Sequence, residues 1–200
     1  MDGTEKMKPA ACVLCGGLSR RFGSPKAEAR FLGKRFIDHV VERIRSEVSE
    51  IIAVVREGQR VPKWPVDRIA RDRPDLPPGP LRGVVAGLEA AQGTVVFILC
   101  CDMPFVRPEL LVFLKDSLAP CSLGVCCTYG EFIQSFPALY RKAALGKLKS
   151  LLDRGSVAPR SAFELPEFQV LSEDGTRGAD PEGESFININ TPGDLKELRF

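Results

Sequence analysis

The stretch TVVFILCCDMPF, residues 94–105, begins with a run from Val95 to Cys101 that holds no polar or charged residue. Its β-branched and aromatic side chains suit a pleated backbone. An apolar run without alternation reads as a strand covered on both faces, as in a parallel sheet. The strand, 94–100, runs almost at once into Asp102, with Pro104 set to fix the exit of the chain. In open α/β sheets, ligands bind outside the carboxyl ends of the strands. Asp102 is therefore expected to face a crevice, the bland alternative being an N-cap or turn aspartate.

The same alternation of strand and helix extends in both directions. AACVLC (10–15), IIAVV (51–55), a short piece at Arg68–Ala70 and LGVCCT (123–128) read as further strands, and SFININ (185–190) as the last one. Residues 37–48 place Ile37, Val40, Val41, Ile44 and Val48 on one helical face. Residues 79–92 and 108–118 read as helices opened by Pro80 and Pro108, where a missing N–H costs nothing. Residues 137–155 lead from a short strand into a helix that Gly155 ends. Residues 156–184 read as irregular, and 191–200 as a closing helix with Thr191 as N-cap and Pro192 in its first position. This order predicts an α/β fold with three layers and a mostly parallel mixed sheet, in a single domain over residues 1–200. Residues 1–9 are expected to be a flexible N-terminal tail.

Composition narrows the function. The 200 residues are 44% hydrophobic and 27% charged, ordinary for a globular chain, with a net charge of +2. Cations are scattered rather than clustered, which argues against a nucleic-acid partner. No apolar run approaches the roughly 18 residues of a membrane span, and no secretory leader opens the sequence, so the expected location is cytoplasmic. The seven cysteines lie in or beside apolar runs. An odd number without an export signal argues against a disulfide framework. Cys12 and Cys15 form a CxxC inside a strand, where a redox pair would want a helix N-terminus. With His39 the only histidine, small core hydrophobes are the favoured reading.

The first strand delivers LCGGLSRRFGSPK (14–26) to the same end of the sheet. Gly16, Gly17 and Gly23 allow close approach of the backbone to a ligand, and consecutive N–H groups make an anion cradle. Arg20, Arg21 and Lys26 add positive charge. The chemistry that fits is a polyphosphate. The spacing matches neither a Walker A loop nor a dinucleotide fingerprint. Magnesium takes one or two carboxylates plus phosphate oxygens, an arrangement that Asp102 opposite Lys26 would supply. Asp72 or Asp75, in RDRPDLPPGPLRG (71–83), could accept from a base edge or a ribose. Asn190 in NINTP could reach the metal or phosphate site, while Asn188 could serve the backbone.

Four motifs in order, L-x-G-G-x-S-x-R-F-G-x-P-K, D-x6-G-P-L-x-G, CDMPF and NINTPxDL, with PALYRK before the last, resemble the molybdenum cofactor guanylyltransferase family over residues 10–198. The resemblance implies a nucleotidyltransferase with a glycosyltransferase-A-like fold. It implies transfer of GMP from GTP to molybdopterin with release of pyrophosphate, assisted by Mg2+. It further implies that Leu14, Cys15 and Gly16 hold nucleotide through main chain, that Gly17 and Arg21 face the triphosphate and that Lys26 pairs with its phosphates. Asp72 would contact the nucleoside, Asp102 would bind the metal and act with Lys26 and Arg21 in catalysis, and Asn190 would neighbour the metal or the acceptor. Molybdoenzymes or cofactor-delivery proteins are the implied protein partners. Two departures stand out. Cys15 replaces a usual alanine, and VVREG lacks an asparagine often seen at the end of the second strand, which leaves the base contacts there open, with Arg56 as the candidate stand-in.

Other readings remain at this stage. A cytidylyl- or sugar-nucleotide transferase shares the fold. A nucleotide- or molybdopterin-binding protein without turnover would have no need of both Lys26 and Asp102. A cysteine-based metal or redox protein rests on the seven cysteines alone.

Overall fold

The computed structural model describes residues 8–17, 25–191, 193 and 194. Along the chain run β1 (Ala10–Leu14), a small hairpin of β2 (Arg30–Phe31) and β3 (Lys34–Arg35), α1 (Phe36–Ile44), β4 (Ile51–Val55), β5 (Arg68–Arg71) and α2 (Pro80–Ala90). There follow β6 (Val95–Cys100), α3 (Pro108–Ser117), β7 (Gly124–Tyr129), β8 (Phe132–Arg141), α4 (Leu145–Asp153), β9 (Phe168–Leu171) and α5 (Glu173–Ala179). Seven strands form one sheet in the order β5-β4-β1-β6-β8-β7-β9. β5, β4, β1 and β6 are mutually parallel, β8 is antiparallel to β6 and β7, and β9 runs parallel to β7. The α/β class and the mostly parallel mixed sheet expected from the sequence are both present.

Strand side chains alternate between two cores. Ala11, Val13, Phe97 and Leu99 pack on one face with Ile37, Val40, Val41 and Ile44 of α1 and with Leu110, Leu111 and Leu114 of α3. Ala10, Cys12, Val96 and Ile98 pack on the other with Leu81, Val84, Val85 and Leu88 of α2 and with Leu148 and Leu152 of α4. Each buried aliphatic chain contributes about 1.5–3 kcal/mol of transfer free energy, so helices cover the central strands on both sides.

α2 lies close to β1 because two of its residues have no side chain. A Cβ on Gly83 would sit 3.3 Å from Leu14 Cδ2, and one on Gly87 would sit 2.9 Å from Cys12 Cβ. The small Cys12 and the bare Gly87 face each other, and a methyl there would cost about 1–3 kcal/mol in overpacking. This close seat carries the first turn of α2 to the carboxyl end of β1.

Some expectations need correction. Residues 156–184 are not irregular throughout. They hold a 3-10 turn at Pro159–Glu164, then β9 and α5. SFININ is not a strand, since Glu184–Phe186 forms a 3-10 turn followed by extended backbone outside the sheet. Asp180 causes this: its buried carboxylate accepts the N–H groups of Glu184 and Ser185 and winds the chain there. The strand within 137–155 begins earlier, because β8 forms a hairpin with β7 through Gly130. α1 gives way to a 3-10 turn at Arg45–Glu47, so Val48 is buried but outside the helix. Of the expected N-terminal tail, residues 1–7 lie outside the described residues, whereas the Pro9 carbonyl accepts the Ser49 N–H at 2.9 Å. Thr191 begins a cap, with its Oγ1 2.6 Å from Asp194 Oδ1 and accepting the Asp194 N–H at 3.2 Å; Pro192 and residues 195–200 lie outside the described residues.

Candidate active site

The direction of chain winding reverses between β1 and β6: β4 and β5 lie on one side of β1, while β6 lies on the other. Such a switch point leaves a crevice at the carboxyl ends of the strands. The Cys101 N–H donates to the Leu14 carbonyl at 3.1 Å, holding the two strand ends together. Lys26 follows β1 and Asp102 follows β6.

Both are placed by packing rather than by long secondary structure. Lys26 opens a 3-10 turn, Lys26–Glu28, set by Pro25, and the indole N–H of Trp64 donates to Glu28. Asp102 sits in a tight turn with Met103, Phe105 and Val106 buried beneath it. A third apolar cluster joins Ala29, Phe31, Phe36, Phe105 and Ile189, with Phe31 and Phe105 edge-to-face at 5.5 Å. The Ile189 N–H donates to the Asp102 carbonyl at 3.1 Å. Three distant segments are thus pinned side by side.

In the result, Lys26 Nζ donates to Asp102 Oδ2 and, at 2.7 Å, to Asn190 Oδ1. The Lys26 and Asp102 side chains are 14% and 17% exposed, at the edge of the crevice. Asp102 Oδ1 is buried and without a hydrogen-bond partner. An orphaned carboxylate oxygen beside a fixed cation carries a desolvation cost of about 1–3 kcal/mol or more for a charged group. Such a cost marks a place where a ligand group belongs. Among the described residues, no cluster of three or more His, Cys, Asp or Glu side chains could hold a metal by itself.

Beside this cluster lies a cleft of about 370 Å³, bounded by β1, the ends of β4 and β5, and the first turn of α2. Leu14, Val54, Pro78 and Pro80 form apolar walls, and Gly16 and Gly17 form a floor of bare backbone. A Cβ on Gly16 would meet Arg56 Cγ at 3.1 Å. The polar lining is Arg56, Asp72 and Arg82. Asp72 is only 7% exposed. Its Oδ2 takes Arg82 Nε at 3.1 Å and Nη2 at 3.0 Å, and its Oδ1 takes the Glu57 N–H at 3.3 Å. Asp75, offered as its alternative, pairs with Arg73 on the surface.

The sequence-predicted residues thus converge in part. Lys26 touches both Asp102 and Asn190. Leu14, Gly16, Gly17 and Asp72 line the neighbouring cleft. Cys15 is buried, and its carbonyl accepts Gln59 Nε2 at 3.2 Å. Arg20, Arg21 and Gly23 lie outside the described residues. Asn188 serves the backbone, its side chain donating to the Phe186 carbonyl at 3.1 Å. Two residues escaped the sequence reading. Arg82 partners Asp72, and Gln59 ties the β4 exit to Cys15. Neither carries a local signal, because each acts across separate strand ends.

The cysteines fit a core role. Cys12, Cys15, Cys101, Cys126 and Cys127 are buried, while Cys121 is exposed. Burial pushes the thiols of Cys12, Cys15, Cys100 and Cys126 well up, and that of Cys127 to about 12. The thiolate is the form that attacks disulfides and ligates metal, so burial in apolar surroundings disfavours both roles.

A doubly wound sheet, a glycine-lined cleft and a lysine–aspartate pair at its switch point suit a nucleotidyltransferase, and the family of the chain shows that class. The chain belongs to the family of the MobA-like NTP transferase domain, whose family model matches residues 11–168. It is 30% identical to a probable molybdenum cofactor guanylyltransferase of Geobacillus sp. (strain WCH70), over 96% of this chain and 98% of that one. Among solved structures it is similar to molybdopterin-guanine dinucleotide biosynthesis protein A from Archaeoglobus fulgidus, at 27% identity and a TM-score of 0.78, covering 94% and 95% of the two chains. The fold is also that of 2-C-methyl-D-erythritol 4-phosphate cytidylyltransferase from Thermus thermophilus, at 17% identity and a TM-score of 0.68, covering 96% of each chain. Among the described residues, no helix is long and apolar enough to cross a membrane.

Proposed function

We propose that this protein transfers GMP from GTP to molybdopterin and releases pyrophosphate. The observation that carries the reading is the contact of Lys26 with Asp102 and Asn190 at the carboxyl ends of β1 and β6, beside a cleft of nucleoside size. In this reaction the terminal phosphate oxygen of the acceptor attacks the α-phosphorus of GTP. A new O–P bond forms, and the bond to the bridging oxygen breaks with its electron pair on pyrophosphate. The acceptor phosphate is already ionised, so no general base is needed. The protein must position the reactants and meet negative charge with cations.

The site's own groups suit those tasks. Lys26 would turn its ammonium from Asp102 and Asn190 toward the phosphates. The backbone at Gly16 and Gly17 would admit the nucleotide closely, and Leu14, Val54 and the two prolines would cover the base. Asp102 and Asn190 fit Mg2+, because Asp102 Oδ1 is buried and unpartnered and magnesium needs few protein ligands when phosphate oxygens complete its shell. When bound, the ion would neutralise charge on the phosphate oxygens.

The test is turnover of the purified protein with molybdopterin, Mg2+ and each of GTP, CTP, ATP and UTP, read by pyrophosphate release and by the mass of the product. Product with GTP alone is the expected result. Product with CTP instead would move the enzyme to the cytidylyl branch, and none with any nucleotide would end the proposal.

A further inference from the structure

The cleft has an unusual imbalance of donors and acceptors. Arg56 lines it, and its Nε is buried without a hydrogen-bond partner. The Arg56 stem lies against Gly16, while its backbone N–H is held by Gln59 Oε1 at 3.3 Å. Gln59 in turn donates to the Cys15 carbonyl, so the position of Arg56 is tied to the floor of the cleft. The other polar side chains of the lining are already committed. Both oxygens of Asp72 accept, and Arg82 donates to Asp72 and, at 3.2 Å, to the Leu76 carbonyl. Among the described residues lining the cleft, the unmatched side-chain group is therefore a donor, and no carboxylate is left over to accept.

A guanidinium offers only donors, in a fork that matches two adjacent acceptors. Guanine presents such a pair at O6 and N7. Adenine places a donor beside its N7, and cytosine presents a donor amine. We infer that Arg56 is the residue that selects guanine, donating to its O6/N7 edge while Asp72 stays locked in its ion pair with Arg82. This rests on the guanylyl reading of the cleft and adds to it the edge of the base that is read and the residue that reads it. Arg56 is a specificity residue, and Gln59 a positioning residue for it.

The experiment measures binding of GTP, ITP and 7-deaza-GTP to the full-length protein and to Arg56→Ala and Arg56→Lys, with thermal unfolding of each nucleotide-free protein as the control for folding. ITP keeps both acceptors, whereas 7-deaza-GTP loses N7. Wild type should bind ITP about as well as GTP and should bind 7-deaza-GTP about tenfold more weakly, the size of one good base contact. Arg56→Ala should lose about tenfold or more for GTP and no longer distinguish GTP from 7-deaza-GTP. Arg56→Lys, a single point donor, should fall between. Equal binding of GTP and 7-deaza-GTP by wild type would overturn the assignment even if a variant failed to fold, as would an unchanged N7 effect in Arg56→Ala. Failure of wild type to bind GTP would overturn the guanylyl reading itself, before any variant is made.

Discussion

Lys26 Nζ lies 2.7 Å from Asn190 Oδ1 although 164 positions separate them in the chain. The same ammonium reaches Asp102, which follows the central strand. One cation thus connects the loop after β1, the loop after β6 and the segment that returns after α5. Charge-assisted bonds of this kind contribute more than neutral ones, and here they gather the groups from which the proposed chemistry follows.

Asp102→Ala should abolish turnover while leaving the fold intact. The carboxylate has one oxygen on Lys26 and one orphaned, so its removal relieves a buried polar atom as well as breaking a pair. A rate loss of about 100-fold or more, with a melting temperature near that of wild type, is expected for a group acting on transition-state charge. Steady-state kinetics and calorimetry check both halves; normal turnover would remove Asp102 from the mechanism.

Lys26→Ala and Asn190→Ala should separate charge from placement. The first removes the cation, and GTP affinity should fall about tenfold or more, the weight of a charge-assisted bond, together with rate. The second leaves the cation and loosens its seat, so its effect should be several-fold smaller. Isothermal titration with GTP, with and without Mg2+, distinguishes them: equal losses that depend on Mg2+ would assign Asn190 to the metal, and equal losses without it would assign Asn190 to the substrate.

Arg82→Ala should act on stability first. Asp72 would be left nearly buried with only the Glu57 N–H. Breaking a buried pair by removing one partner costs about 3–5 kcal/mol. Urea unfolding should show a loss of that order, and Arg82→Ala with Asp72→Asn should recover part of it. An unchanged midpoint in Arg82→Ala would show that water replaces the guanidinium freely.

The thiols should respond to alkylation in two classes. Cys121 is exposed, whereas burial raises the pKa of Cys12, Cys15, Cys100, Cys126 and Cys127. At pH 8 the native protein should label rapidly at Cys121 alone, and all seven should label after unfolding. Mass spectrometry of digested protein reads the positions. Rapid native labelling at Cys15 would reopen a redox role for the pair with Cys12.

Much of the fold was legible because its signals are local. An unbroken apolar run such as VVFILC can be satisfied only by cover on both faces, and the helices announce themselves through spacing and through Pro80 and Pro108. SFININ misled because its apolar alternation suits a strand, while the buried carboxylate of Asp180 captures the N–H groups of Glu184 and Ser185 and winds the start of the segment into a turn. β9 and α5 were hidden in a polar stretch whose pairing partner, β7, lies more than thirty residues away. The site residues Lys26, Asp102 and Asn190 were visible as residue types at strand ends and through a family resemblance. Their sharing of one site was expected, whereas the direct bonds of Lys26 to Asp102 and Asn190 were not.

By itself, the sequence determined the class of the fold, the strands that deliver glycine and charge to one end of the sheet, and the residue types that suit a triphosphate. These depend on periodicity and on backbone preference, which act over a few residues. Only the tertiary structure decided that Asp72 is occupied by Arg82, that Arg56 is left with an unmatched donor, and that Asp102 keeps a bare oxygen. Each is a matter of which polar group meets which across separate strand ends, and a hydrogen bond of about 3 Å is settled by packing, not by position along the chain.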